Sequence, residues 1–226
     1  MNEITAFLPC RAGSQRILKK NTREFAKSSL FEIKLLQLLE SKSVTEIVVS
    51  SNDEEIFNIS NRYKDYNNKK IINSKRPDIL ASSETTTDEL INYVCSIIKD
   101  KNILWTHVTA PFVDSNLYDK ASKFFLEFGG NRSLMSVKKI QNFCWMDGKR
   151  LNYKDENLKW PFTQKLKPIY EITNGFFYST SELYNKFNDR ICNNPYLFEI
   201  STLSSIDIDN MDDFQFAEEL YLKNYI

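Results

Sequence analysis

The chain has 226 residues, 42% of them hydrophobic and 27% charged, which excludes intrinsic disorder, collagen-like repeats and a membrane-embedded body. A chain of this length buries enough apolar surface to fold without disulfide or metal staples. Thirty lysines and arginines balance thirty aspartates and glutamates, so bulk charge gives no attraction to nucleic acid or to an anionic membrane. We therefore expect local clusters to carry any anion binding.

The cysteines and the chain start indicate the compartment. Cys10, Cys95, Cys144 and Cys192 form no CxxC motif, so we expect isolated, reduced thiols. The start lacks a basic segment, and its apolar run is too short for a signal peptide. No apolar run reaches the roughly 20 residues that span a bilayer. We expect a cytoplasmic protein with no membrane partner.

Apolar runs and helical spacings alternate along the chain. The run Ile4–Pro9 is typical of a buried parallel strand. Further strands are predicted at Glu46–Ser50, Lys70–Asn73, Ile103–Val108, Ser133–Val137, Gly175–Ser179, Tyr196–Ile200 and Ser205–Asp209. Helices are predicted around Phe31–Leu39, at Glu54–Tyr63, from a cap at Thr85–Thr87 through Lys99, at Asn116–Phe128 and at Met211–Asn224.

This alternation predicts one α/β domain over residues 1–226, with a mostly parallel sheet. Right-handed crossovers should cover both faces of the sheet with helices. The pattern breaks at Lys138–Pro168, which carries aromatic residues and turn residues without clear periodicity. We interpret residues 138–168 as an insertion between core strands that serves as an interface arm.

A cationic loop, residues 10–21, follows the first strand. Four cations lie within residues 11–20, together with Gly13 and Ser14. Ligands of open α/β sheets bind at the carboxyl ends of the strands. Backbone N–H groups, a hydroxyl, Arg11 and Lys20 are what a polyphosphate needs there. The loop is neither a Walker A nor a GxGxxG motif, and a basic surface loop without a ligand remains the alternative.

A pair of acids lies near the other end of the chain. In a strand over Ser205–Asp209, Asp207 and Asp209 share one face while Ile206 and Ile208 share the other. Two carboxylates on one face suit Mg²⁺, which prefers oxygen ligands. The alternative is a solvated edge strand. A phosphate-binding loop combined with a metal site suggests phosphoryl or nucleotidyl transfer, which needs positioning and charge neutralisation more than acid–base groups.

Several motifs resemble one family. FLPCRAGSQRILKKN resembles the opening motif of the acylneuraminate cytidylyltransferases, which include the CMP-sialic acid synthetases and their relatives for other sugar acids, and SSIDIDNMDDFQFAEEL is similar to the C-terminal motif. RPDILASSETTTDELI, HVTAPF and EITNGFFYS resemble weaker internal motifs. The matches occur in order and span nearly the whole chain.

The resemblance implies a Rossmann-like nucleotidyltransferase fold with a dimerisation insertion, and hence a homodimer. It implies a Mg²⁺-dependent cytidylyltransferase that transfers CMP from CTP to a sugar acid of the sialic, legionaminic, pseudaminic or Kdo type and releases pyrophosphate. Such CMP-sugar biosynthesis would supply lipopolysaccharide or capsule. Two rivals remain open: a cytidylyltransferase for a phosphate or phosphonate acceptor, and a catalytically silent nucleotide-binding protein of the same fold.

The resemblance also assigns residues. The nucleotide-binding set comprises Arg11, Ser14, Lys20, Asn21, Arg76 and Thr87, with Ala12 and Gly13 of the same loop. Asp207 and Asp209 are the metal carboxylates, and Arg11, Lys20 and Asp209 are the expected catalytic groups.

On the acceptor side, Asn174 belongs to the strand that borders the acceptor sugar, and Gln164 and Glu171 are candidate contacts. His107, at a strand end, would hydrogen-bond the acceptor or act as a base; the alternative is a structural polar residue. This side departs from the family, because His107 stands where Gln is often found and Ile172 where some members have an Arg. The acceptor class therefore rests on fewer residues than the nucleotide.

Overall fold

The structure is a computed structural model that describes residues 3–82, 84–99, 102–153 and 159–225. Its strands are β1 Ile4–Pro9, β2 Glu24–Phe25, β3 Ser28–Ser29, β4 Val44–Ser51, β5 Lys70–Lys75, β6 Asn102–Thr106, β7 Leu134–Ile140, β8 Trp145–Met146, β9 Lys149–Arg150, β10 Ile169–Thr180 and β11 Tyr196–Glu199. Its helices are α1 Leu30–Glu40, α2 Glu54–Asn61, α3 Thr87–Ile97, α4 Ser115–Glu127, α5 Ser181–Phe187 and α6 Met211–Tyr225.

Seven strands form one sheet in the order β11-β7-β10-β6-β1-β4-β5. The pairs β1–β4, β1–β6, β4–β5 and β7–β11 are parallel, whereas β10 is antiparallel to both β6 and β7. β7 and β10 are neighbours joined by a chain excursion, and such a hairpin-like connection makes them antiparallel. The predicted mostly parallel sheet is confirmed.

Two apolar cores lie on opposite faces of this sheet. Along β1, Ile4, Ala6 and Leu8 belong to one core, which includes side chains of α1, α2, α4 and α6. Phe7 points to the other core, with side chains of α3 and α5. The period-two alternation of a strand produces this division, and helices on both faces explain why β1 is buried almost throughout.

The predicted strand at Ser205–Asp209 is wrong. A turn occupies 202–205, and residues 206–209 have no regular secondary structure. The Ile208 N–H donates to the Thr109 carbonyl at 2.9 Å, which ties the segment to the loop after β6. The alternation of side chains nevertheless holds, because Ile208 is fully buried while Asp209 is exposed. Helix α5 was not predicted; Thr180 caps its start by accepting from Leu183 N at 3.1 Å.

The predicted insertion 138–168 begins later than expected, because β7 continues to Ile140. Strands β7 and β10 extend beyond the end of β6, where Lys138–Ile140 pairs with Ile169–Glu171 as a two-stranded ribbon. The small β8–β9 hairpin follows, with its turn at Asp147–Gly148. We call residues 141–168 the arm. Several of its large apolar side chains are exposed: Trp145, Met146, Trp160 and Phe162.

In the four described ranges, no helix has the length and apolar character to cross a membrane.

Candidate active site

Parallel strands β1, β4 and β6 all end at one edge of the sheet. The loop 10–21 leaves β1 there, Asn52 follows β4, and His107–Thr109 follow β6. The segment 206–209 joins this edge through the Ile208–Thr109 hydrogen bond. Four parts of the chain distant in sequence therefore surround one place, as expected for the carboxyl ends of strands in an open α/β sheet.

Side-chain hydrogen bonds to its backbone fix the conformation of the loop 10–21. Ala12 N–H donates to Asn52 Oδ1 at 2.9 Å, and Asn21 Nδ2 donates to the Arg11 carbonyl at 3.0 Å. Gly13 has φ +75°, a left-handed conformation that glycine adopts without a Cβ penalty. The Arg11 guanidinium donates to the Gly13 carbonyl at 3.2 Å. The loop thus presents Arg11 and Ser14 at the sheet edge.

Lys20 and Arg16 of this loop contact the acidic segment directly. Lys20 Nζ donates to the Ile208 carbonyl at 2.8 Å, and the Arg16 guanidinium forms an ion pair with Asp209 at 2.8 Å. Burial lowers the pKa of Lys20 below its ordinary value, and the charges of Asp209 and Asp207 partly oppose this shift. The cationic loop and the paired acids, 188 and more residues apart, therefore share one site.

One carboxylate oxygen of Asp207 lacks a hydrogen-bond partner among the described residues, which suits a divalent cation. Its Oδ2 accepts from Asn174 Nδ2 at 2.7 Å. Its Oδ1 is buried and has no hydrogen-bond partner among the described residues, which is costly for a carboxylate unless a cation binds there. Asp207 and Asp209 are hard oxygen donors, and Mg²⁺ is commonly held by one or two carboxylates together with substrate phosphates. The described ranges hold no cluster of three or more His, Cys, Asp or Glu side chains placed for a metal.

An open cleft of about 410 Å³ lies beside the cationic loop. Asp207, Asp209 and Asn174 are not among its lining residues, but Lys20 and Arg16, the ion-pair partner of Asp209, are. Loop residues and the residues after β6 line it: Pro9, Arg11, Ser14, Gln15, Arg16, Lys20, Asn21, His107, Val108 and Thr109. A second hollow of about 270 Å³ lies on the other side of the loop, next to Ala12, Gly13 and Asn52. The larger volume falls within the usual range for small-molecule sites.

His107 lies in the wall of the cleft. Its Nε2 is 3.4 Å from a guanidinium nitrogen of Arg190, in the loop after α5. Desolvation by the surrounding protein, with the charge of Arg190 second, lowers the pKa of His107 to about 3. The side chain is partly exposed, and water there moderates the desolvation, but the direction makes His107 neutral at pH 7.

Arg76 and Thr87 do not line the cleft. Arg76 is 2% exposed, and its guanidinium donates to Ser50 Oγ at 3.1 Å and to the Ser50 carbonyl at 3.0 Å. It supports the end of β4 from beneath the loop. Thr87 begins α3 and is exposed; no described contact joins it to the loop 10–21. A linear motif does not show that Arg76 is buried against the end of β4 while Thr87 begins an exposed helix turn.

Gln164 and Glu171 also lie away from the cleft lining. Gln164 is exposed on the arm, where its carbonyl accepts from Gln141 Nε2 at 3.1 Å. Glu171 is exposed on the β7–β10 ribbon, 3.7 Å from Lys138 Nζ. The reason is the length of β10, which pairs with β6 only from Phe176 onwards and projects past it before that point. Asn174, by contrast, reaches Asp207.

Sequence reasoning missed two cations of this region. Arg16 belongs to the basic cluster, but nothing in its spacing distinguishes it from Lys19, which instead pairs with Glu55 at 3.2 Å. Arg190 lies in a polar loop with no motif. Its position above the rings of Phe177 and Trp105, with its guanidinium carbon 4.1 and 5.5 Å from their centroids, comes only from the fold.

Comparisons with known proteins identify relatives of this chain. A family model described as cytidylyltransferase matches residues 5–226. The chain is 25% identical to the pseudaminic acid cytidylyltransferase of Campylobacter jejuni strain 81-176, over 96% of both chains. It is also 25% identical to the CMP-N,N'-diacetyllegionaminic acid synthase of Legionella pneumophila, over 96% of this chain and 95% of that one.

Solved structures support the fold. A CMP:2-keto-3-deoxy-manno-octonic acid synthetase complexed with CTP superposes with a TM-score of 0.70 at 12% identity, over 98% of this chain and 99% of that one. A 4-diphosphocytidyl-2C-methyl-D-erythritol synthase from Anaerococcus prevotii gives 0.66 at 15% identity, over 98% of both. These likenesses establish the Rossmann-like nucleotidyltransferase architecture. With the family model matching nearly its whole length, the chain belongs to the cytidylyltransferase family and is a nucleotidyltransferase.

Proposed function

We propose that the protein transfers CMP from CTP to a nine-carbon sugar acid of the pseudaminic or legionaminic type and releases pyrophosphate. One observation carries the proposal: the cationic loop that lines the cleft contacts the acidic segment, through Lys20 on the Ile208 carbonyl and Arg16 on Asp209. Nucleotidyl transfer from a triphosphate requires these two kinds of charge side by side. The names of the two curated relatives support the acceptor class.

In this mechanism, an acceptor oxygen attacks the α-phosphorus of CTP in line with the departing pyrophosphate. Arg11 would grip two phosphate oxygens with its planar fork, while Lys20 would act as a point charge. Backbone N–H groups of the loop around Gly13 and the Ser14 hydroxyl would orient the phosphates. The contribution of each cation grows as charge develops on the leaving group, because the site is partly shielded from water.

We propose Asp207 and Asp209 as the residues that hold Mg²⁺. Asp207 fits because its Oδ1 is buried without a described partner, and Asn174 fixes the other oxygen. Asp209 would exchange its ion pair with Arg16 for the cation. When bound, Mg²⁺ neutralises phosphate charge and acidifies a coordinated hydroxyl.

On the acceptor side we propose His107 and Asn174 as the contacts. His107 belongs to the cleft lining, and Asn174 is hydrogen-bonded to Asp207. We do not propose Gln164 and Glu171 as acceptor contacts within the same protomer, because the arm and the ribbon hold them away from the residues that line the cleft.

The test is pyrophosphate release from CTP and Mg²⁺ with a panel of acceptors: pseudaminic, diacetyllegionaminic and sialic acids, Kdo, methylerythritol phosphate and a phosphonate. Turnover with a nonulosonic acid supports the proposal. Turnover with only a phosphate or phosphonate would contradict the sugar-acid acceptor and indicate a phosphate or phosphonate acceptor instead. Binding of CTP with no turnover on any acceptor indicates a silent nucleotide-binding protein instead.

A pair of matched variants tests the carboxylates. Asp209→Asn removes a metal oxygen charge and is expected to lower kcat/KM by at least about 100-fold, equivalent to a few kcal/mol of electrostatic stabilisation. Asp212→Asn is the control, because this exposed acid lies in the first turn of α6, three residues further on. Equal activities of the two variants would refute the metal role of Asp209.

We propose that the arm makes the protein a homodimer. Exposed Trp145, Met146, Trp160 and Phe162 support an apolar contact. Light scattering of the wild type and of Trp145→Ser measures the mass; a wild-type monomer at micromolar concentration contradicts the dimer. CTP is an intracellular nucleotide, so we propose the cytoplasm as the site of the reaction and a surface-glycan glycosyltransferase as the consumer of its product.

A further inference from the structure

Arg190 is a cation held in place next to the cleft wall. Its guanidinium carbon lies 4.1 Å from the ring centroid of Phe177 and 5.5 Å from that of Trp105. Both rings are buried, and a cation over an aromatic face at these distances is attracted to it. The same guanidinium lies 3.4 Å from His107 Nε2. The β6 and β10 strands that carry the two rings thus fix the position of Arg190 relative to His107.

The chemistry of this contact decides which ring nitrogen carries the proton. A guanidinium has only donors, so Nε2 must be the acceptor. A neutral imidazole that accepts at Nε2 carries its hydrogen on Nδ1. His107 held in this way presents an Nδ1–H donor. Its Nε2 lone pair accepts the hydrogen bond from Arg190, so it is not available to take a proton as a general base.

The charges around His107 favour the neutral ring. Arg190 comes from the loop after α5, Lys34 from α1, Arg76 from the end of β5 and Lys20 from the cationic loop. These cations come from four different parts of the chain, and the charge of each disfavours a second positive charge on the ring. Desolvation of the ring acts in the same direction.

We infer that Arg190 is a positioning residue that holds His107 as the Nδ1–H tautomer, so that His107 donates a hydrogen bond to an anionic or carbonyl oxygen of the acceptor and does not act as a general base. This inference deepens the proposed function and rests on it for the identity of the acceptor. The tautomer and its dependence on Arg190 are properties of the protein alone.

The chain contains a single histidine, which makes the direct test simple. In untagged protein labelled with ¹⁵N-histidine, one pair of ring nitrogen resonances is followed from pH 4 to 9 by NMR. We expect a protonated Nδ1 and an unprotonated Nε2 at neutral pH, with an apparent pKa below the ordinary value of about 6.5. A protonated Nε2 in the wild type would overturn the inference without any enzymatic assay.

Arg190→Met removes the donor and the charge and keeps an apolar side chain over Phe177. We expect the histidine pKa to rise towards 6.5 and the Nε2–H tautomer to appear. The control is Arg132→Met, because Arg132 also lies over an aromatic ring, Tyr196, at 4.0 Å, but donates to the Asn194 carbonyl. Unchanged ring resonances in a folded Arg190→Met protein would show that Arg190 does not position His107. Arg190→Leu, which also removes the donor and the charge, serves the same comparison if the methionine variant does not fold.

Kinetic measurements with the accepted sugar acid distinguish a hydrogen-bond donor from a general base at His107. His107→Gln keeps an N–H donor but removes the imidazole ring, so we expect its main effect to be a several-fold higher KM for the acceptor, whereas loss of a general base costs roughly 10²–10⁴ in kcat. Arg190→Met is expected to raise KM for the acceptor about tenfold and to leave KM for CTP unchanged. A large kcat loss in His107→Gln, or equal effects on both substrates in Arg190→Met, would contradict the donor role. If no acceptor turns over, the proposed function fails, but the NMR result still decides the tautomer.

Discussion

Lys34 offers the sharpest test of how the fold supports the site. Its side chain is completely buried in α1, and its Nζ donates to the Ala110 carbonyl at 2.8 Å, the Val113 carbonyl at 2.9 Å and the Tyr118 hydroxyl at 2.9 Å. These bonds tie the loop that follows His107–Thr109 to the helix beneath it. Burial lowers the pKa of Lys34 well below its ordinary value.

Lys34→Met removes all three bonds and keeps the apolar stem. Two acceptors retain a second partner, since the Ala110 carbonyl accepts from Val113 N at 3.3 Å and the Tyr118 hydroxyl contacts Thr106 Oγ1 at 2.7 Å. Leaving the buried Val113 carbonyl without Lys34 costs about 1–3 kcal/mol, and the two other lost bonds cost about 0.5–1.5 kcal/mol each. Relief from burying an amine offsets part of this sum. We expect a net loss of about 2–4 kcal/mol.

Urea unfolding followed by tryptophan fluorescence measures this loss. Lys123→Met is the matched control, because Lys123 is 78% exposed on α4 and is 3.8 Å from Glu127, where an ion pair contributes under about 1 kcal/mol. We also expect KM for the acceptor to rise several-fold in Lys34→Met, with KM for CTP less affected. A stability loss below about 1 kcal/mol would refute the reasoning that these three bonds anchor the loop.

Three other outcomes follow from the site. Arg16→Gln breaks an ion pair whose side chains are 63% and 53% exposed, so unfolding should become easier by less than about 1 kcal/mol; a loss above twice that would mean the pair is structural. Gly13→Ala meets no atom within 4 Å but must keep φ near +75°, so we expect a cost of about 1 kcal/mol and a several-fold higher KM for CTP; an unchanged CTP titration would contradict this. The folded pKa of His107 lies below the unfolded value, so its contribution to stability is complete above about pH 6.5 and is lost as the pH falls, with a slope of up to about 1.4 kcal/mol per pH unit. Denaturation curves between pH 7 and 5 should show this loss in the wild type and not in His107→Gln, and identical curves would contradict it.

Local sequence determined the parts of the nucleotide side. The apolar run before Pro9, the cations after it and Gly13 occur within a few residues of each other, so a buried strand followed by a cationic loop follows from short-range pattern alone. The alternation of Ile206, Asp207, Ile208 and Asp209 likewise predicted correctly that the two isoleucines face the core and that Asp209 is exposed, although the segment pairs with no strand among the described residues. Side-chain alternation requires only extended backbone, whereas a ladder requires a neighbour that local sequence does not reveal.

Tertiary structure alone decided which of these parts meet and which do not. The ion pair of Arg16 with Asp209 joins residues 193 positions apart, and the contact of Arg190 with His107 spans 83. Gln164 and Glu171 follow the projecting ribbon away from the cleft, and Arg76 lies under β4, although sequence assigned all three to binding. Local pattern sets which face of a strand or helix a side chain occupies. The distance of that side chain from the site depends instead on the register of β10 against β6 and β7 and on the burial of α1. Register and burial both depend on packing across the whole sheet.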